Sequence, residues 1–152
     1  MPSLGGKTLG ILLYMIPWAD CLIFGNHLYI KYPFTQIIQI PAIPIIIIER
    51  SIPFGNLLLF LFIFIGLIRN NKVSYFVRFN ALQSLLINIS IIIISFIFQI
   101  FFSPFANSLI IRTFSSTLLI STLAMITYCV WSCTQGTEPN LPGISKATKM
   151  QL

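Results

Sequence analysis

Carboxylates are the scarcest functional groups in this chain: Asp20, Glu49 and Glu138 are its only acids, and His27 is its only histidine. Charged residues of all kinds make up 8% of the sequence, against about a quarter in an ordinary soluble domain, while 57% is hydrophobic. A surface that poor in charge does not stay wet, so lipid is the solvent the composition calls for. The shortage also excludes chemistry. A hydrolase needs a nucleophile with a base and a group to orient that base. His27 has no acid beside it in sequence, and no glycine-rich phosphate or dinucleotide loop is present. Cysteine is equally sparse: Cys129 and Cys133 stand four apart with only Glu138 near them, and Cys21 is remote, which suggests small packing residues rather than a metal site. The expectation is a non-enzyme with no catalytic residue, metal or cofactor. The net charge of +6 comes from nine Lys and Arg residues spread mostly singly, so they form no nucleic-acid patch and read as residues that orient membrane spans.

What the chain has in quantity is long apolar runs. At 152 residues it has room for one domain, and four runs approach the length needed to cross a hydrocarbon core: about 9–28, 52–68, 76–102 and 109–131. Between the first two lies an apolar stretch, 33–51, interrupted by Pro33, Pro41 and Pro44 and followed by Pro53. Proline removes a backbone donor and clashes with the preceding turn, so a short amphipathic element lying in the interface, or dipping into it, is expected in place of a spanning helix. A polar tail, 136–152, closes the chain. The reading is an all-α integral membrane protein with four transmembrane helices and a proline-interrupted interfacial segment between the first and second. An even number of spans puts both termini on one side. That side collects Lys7, Arg69, Lys72, Arg78, Lys146 and Lys149, against Lys31, Arg50 and Arg112 on the other, which assigns the termini to the cytoplasm-like face.

Two features inside the apolar runs invite a function. Asp20 is the one acid well inside a span, where charge must be neutralised, paired or hydrated. The third run carries a polar stripe: at 100° per residue Asn80, Ser84, Ser95, Asn88 and Gln99 fall within an arc of about 100°. Such a stripe either bonds to a neighbouring helix or lines a hydrated path. The fourth run has an arc of its own in Ser108, Arg112, Ser115 and Thr122, so the two arcs are candidates to face each other. Arg78, opening the third run shortly after Arg69 and Lys72, reads as an orienting anchor or as a contact for a subunit or an anionic lipid.

The stretch from Leu67 to Gln83, with its Arg69-Asn70 pair, short polar turn, Arg78-Phe79-Asn80 and then Gln83, resembles the best-kept part of the Tic-twenty family, including its plastid-encoded Ycf-sixty type. Pro17-Trp18-Ala19-Asp20, Phe24-Gly25, Tyr32-Pro33, Ser51-Ile52-Pro53-Phe54 and the tail Pro142-Gly143-Ile144-Ser145 follow the same order, so the resemblance covers nearly the whole chain. It departs at Asn88, where many of the family carry Asp, and at Lys146, where an acid is frequent. The resemblance implies a multi-pass protein of the chloroplast inner envelope with both termini in the stroma. It would act in preprotein import within a translocon, as a pore-lining or pore-bracing component. It further implies other translocon subunits, translocating preproteins and membrane lipid as partners, leaves a homo-oligomer open, and makes Arg69, Asn70, Arg78, Phe79, Asn80 and Gln83 a motif for partner docking. An independent small-solute or ion carrier and a purely structural scaffold are the competing classes.

Overall fold

The computed structural model describes residues 2–102 and 108–152. Among these residues every regular element is helical. The first helix, α1 (Leu4–Cys21), starts at Ser3, whose side chain accepts from the Gly6 N–H, satisfying one of the donors that an N-terminus leaves over. A short 3₁₀ turn, Leu22–Gly25, leads into α2 (Asn26–Lys31), and together they form one crossing, Leu4–Lys31. A 3₁₀ segment, Pro33–Ala42, precedes α3 (Ile43–Ser51), with Pro33 and Pro44 each in the first positions of a helical element, where a missing N–H costs least. The chain then turns through 109° into α4 (Gly55–Ile63), which ends in a π turn, Phe64–Ile68. The long helices α5 (Tyr75–Phe102) and α6 (Leu109–Gln135) follow, α6 opening at Ser108 and ending at Gly136 in the left-handed region. A short α7 (Ile144–Gln151) closes the tail.

Three elements, Leu4–Lys31, α5 and α6, are long and apolar enough to span a membrane, and the bent pair Pro33–Ser51 with Gly55–Ile68 brings the number to four if it is counted as one broken span. Its α4 arm, 9 residues plus the 5 of the π turn, is only about 21 Å long at 1.5 Å per residue. That is short of a core of about 30 Å. Apolar side chains point outward all along the bundle, among them Phe62, Ile65, Ile100, Ile110 and Trp131. This inside-out surface is what lipid requires and water forbids.

The order of contacts sets the directions. Val77 lies beside Gly6, and the rings of Phe24 and Phe98 meet at 6.1 Å, so α1 and α5 run parallel. Lys7 reaches the Thr134 carbonyl at 3.2 Å and Ser115 reaches that of Phe24 at 2.6 Å, so α6 runs antiparallel to α1. The helix α1 thus packs on both α5 and α6, and it separates much of their length. The polar arcs of the third and fourth runs therefore approach each other only at one end, where Ser95, Gln99 and Ser115 line one cavity and Phe98 stacks on Phe114. Glycine at the start of α1 is the reason: a Cβ on Gly10 would stand 3.3 Å from Cys133 Sγ and 3.5 Å from the Phe76 ring, so the small residue lets α1 wedge between its neighbours. The helical ends that bear Lys7, Thr134 and the tail share one end of the bundle.

Candidate functional site: a polar seam inside the bundle

Along α5 the stripe divides into an inner and an outer half. Asn80, Gln83, Ser84 and Asn88 are at most 2% exposed. Asn80 is the hub: its Oδ1 accepts from Tyr14 Oη at 3.1 Å and from Cys133 Sγ at 3.1 Å, and its Nδ2 donates to the Phe76 carbonyl at 2.8 Å. One amide therefore ties α1, α5 and α6 together. Ser84 donates to the Ala81 carbonyl at 3.0 Å and Ser95 to that of Ile92 at 2.8 Å. Both hydroxyls are thus spent on their own helix. Farther along, Ser95 and the exposed Gln99 line a small cavity of about 170 Å³ with Asn26, His27 and Ser115.

Around the family-like motif, each polar group holds a particular joint. Arg78 Nε donates to the Ile68 carbonyl at 2.9 Å, capping an orphan acceptor at the end of the α4 arm. Asn70 Oδ1 accepts from the Lys72 N–H at 3.0 Å and shapes the turn between the arms. Gln83 Nε2 reaches the Pro139 carbonyl at 3.4 Å, which Ser145 Oγ also contacts at 2.9 Å while accepting from the Leu141 N–H at 2.7 Å. Phe79 is buried and lies 5.9 Å from the Lys149 ammonium. Arg69 is exposed, and while its backbone N–H donates to the Phe64 carbonyl at 3.1 Å, its side chain makes no hydrogen bond or ion pair among the described residues.

Asp20 sits about 20 Å along the helix from Lys7 and about 17 Å before Lys31, at 1.5 Å per residue. Its Oδ2 accepts from Asn56 Nδ2 at 3.3 Å, and Asn88 faces the same carboxylate. Glu49 interacts electrostatically with both Asp20 and Arg50. Four elements therefore converge on one acid near the middle of a span. The convergence depends on the corner between α3 and α4. Phe54 takes a left-handed φ of 60°, and Gly55 lies so close to the backbone of Glu49 that a Cβ there would collide with its carbonyl. Glu49, Arg50, Asn56, Phe60 and Ile92 line an open groove of about 680 Å³ beside this cluster. The Oε1 of Glu49 and the Oδ1 of Asn88 are buried without a partner, which is costly in hydrocarbon and tolerable where water or a polar chain reaches them.

The sequence did not point to Tyr14, Cys133, Asn56 or Glu49 as members of the seam. Tyr14 carried a signal, since a phenol in mid-span must find a partner. Asn56 and Glu49 carried none, because their place depends on the bend. Among the described residues no group of three or more His, Cys, Asp or Glu side chains could hold a metal.

Fold and seam define a polytopic α-helical membrane protein with a bent helical pair beside its long helices and a polar seam that brings Asp20 and Glu49 together. The chain belongs to the Tic20-like family of the chloroplast import apparatus, whose model matches residues 2–148. It is 31% identical over 147 residues to a Tic20 family protein of Synechocystis sp., covering 96% of this chain and 92% of that one. It is also 25% identical to protein TIC 20-v, chloroplastic, of Arabidopsis thaliana (96% and 70% covered) and 29% identical to the Tic20 family protein Ycf60 of Porphyra purpurea (96% and 75%).

Proposed function

We propose that the chain is a membrane subunit of the chloroplast inner-envelope translocon and takes part in import of preproteins into the stroma. The observation that carries this reading is the family match over residues 2–148. The termini would face the stroma, where the basic residues of their end of the bundle belong. Other translocon subunits, passing preproteins and lipid are the partners this role requires.

Within that role we assign its buried seam to bracing the path and its open groove to lining it. Asn80, Gln83 and Ser84 are buried inside the chain's own bundle, so they stabilise it and are closed to a passing polypeptide. The part open to one is the groove of Glu49, Arg50, Asn56, Phe60 and Ile92. It combines the polar groups of Glu49, Arg50 and Asn56 with the apolar side chains of Phe60 and Ile92, which suits an extended chain of mixed composition. Photo-crosslinking of arrested preprotein tests this. A probe at Phe60 should yield adducts, and one at Ile110, exposed on another face, should not. Adducts from Ile110 alone, or import that proceeds unchanged when the protein is removed, would overturn the reading.

A further inference from the structure

A second recess, separate from the groove, lies at the opposite end of α4. Phe64, Ile68, Arg69, Arg78, Leu82 and Gln151 enclose a cleft of about 460 Å³. Its two guanidinium groups differ in how they are held. Arg78 is fixed through Nε on the Ile68 carbonyl at 2.9 Å, which leaves its terminal nitrogens to present a planar pair of donors. Arg69 follows Ile68 directly, and its side chain makes no hydrogen bond or ion pair among the described residues. The acids are accounted for elsewhere: Asp20 with Asn56, Glu49 in the groove, Glu138 with Lys149 at 3.6 Å. Among the described residues neither guanidinium is in an ion pair, so the two cations give the cleft a positive potential that attracts an anion.

The walls say what kind of anion. Phe64, Ile68 and Leu82 supply an apolar floor, and the cleft stands at the end of an arm whose Phe62 and Ile65 are 72% and 61% exposed to the lipid side. An anionic head at the arginines continues naturally into an acyl chain along α4. We propose that this cleft binds the headgroup of an anionic membrane lipid, with Arg69 and Arg78 as the charge-bearing contacts and Gln151 as a neutral one. The site secures the turn between the α4 arm and α5 at the membrane surface, and it does not depend on the import role.

Native mass spectrometry of the purified full chain tests it, in micelles containing phosphatidylglycerol and phosphatidylcholine. The native chain should retain phosphatidylglycerol in preference. Arg69→Gln should reduce that preference about fivefold, as loss of about one interfacial cation predicts. Gln151→Glu, which adds a repelling charge at an exposed position and removes no cation, should reduce it similarly. Lys72→Gln, the same charge change in the same turn but outside the cleft, should leave it unchanged. Inorganic phosphate at millimolar concentration should not displace the lipid. An equal loss in Lys72→Gln, no loss in either cleft variant, or full displacement by phosphate or by an acidic peptide would overturn the proposal.

Discussion

Asn80 uses three of its hydrogen-bonding positions on three different segments, its own preceding turn, α1 and α6. In lipid, helices gain nothing by hiding apolar surface from one another, so contacts of this kind and close packing decide which helices associate. Asn80→Leu leaves the Tyr14 hydroxyl and the Cys133 thiol buried without their acceptor, and it should lower stability by about 1–3 kcal/mol. Tyr14→Phe should cost less, and the double variant should fall short of the sum by about 0.6 kcal/mol or more. Unfolding of the detergent-solubilised protein measures all three, and additive losses would show that the pair is not coupled. Gln83 works in the same manner at the tail. Its Oε1 is buried without a partner, so the bond from its Nε2 to Pro139 is what that side chain gains from its burial.

At the scale of the element, the tail and the corner between α3 and α4 both depend on single small contacts. The tail folds back on α5, and Ser145 holds its turn by accepting from Leu141 and donating to Pro139. The exposed ion pair of Lys149 and Glu138 adds little, because water screens it. Ser145→Ala should therefore release the tail while leaving the spans intact. Limited proteolysis checks this: cleavage within 136–152 should rise several-fold at unchanged helical content, and an unchanged cleavage rate would show that the packing of α7 suffices. The corner is held differently, by close backbone approach at Gly55 and the left-handed turn at Phe54. Trp18 adds an anchor behind it, donating from Nε1 to the Ile38 carbonyl at 2.9 Å. Irregular backbone at membrane depth survives only where side chains satisfy it in this way.

For the molecule as a whole, parallel α1 and α5 with antiparallel α6 require both ends of the chain to emerge on one face. The native cysteines are buried, so introduced ones report without background. Lys7→Cys and Lys149→Cys should react with a membrane-impermeant maleimide from the same side, and Lys31→Cys from the other. Labelling of all three from one side would contradict the arrangement. This topology also places the anion cleft and the polar groove at opposite ends of the α4 arm. Lipid anchorage at Arg69 and Arg78 and contact with a passing chain at Glu49 and Asn56 can then operate without competing for the same surface.

Much of this was written locally. Runs of Leu, Ile and Phe between scattered cations determine spans, and proline placement determines where a span breaks, because both act through the backbone and the solvent of a single segment. Family membership was legible from Arg69 to Gln83 for the same reason, as a turn and a helix start that specify their own geometry. Only the tertiary structure decided the purpose of the polar residues. A stripe on α5 looks uniform along a helical wheel, yet α1 covers Asn80 and Asn88 while Gln99 stays exposed, and no periodicity records which neighbour lies where. Asp20 acquired Asn56 as its partner through a turn of 109°, 36 residues away along the chain. Contacts between distant segments depend on how the whole bundle closes, and that is a property no single stretch of sequence contains.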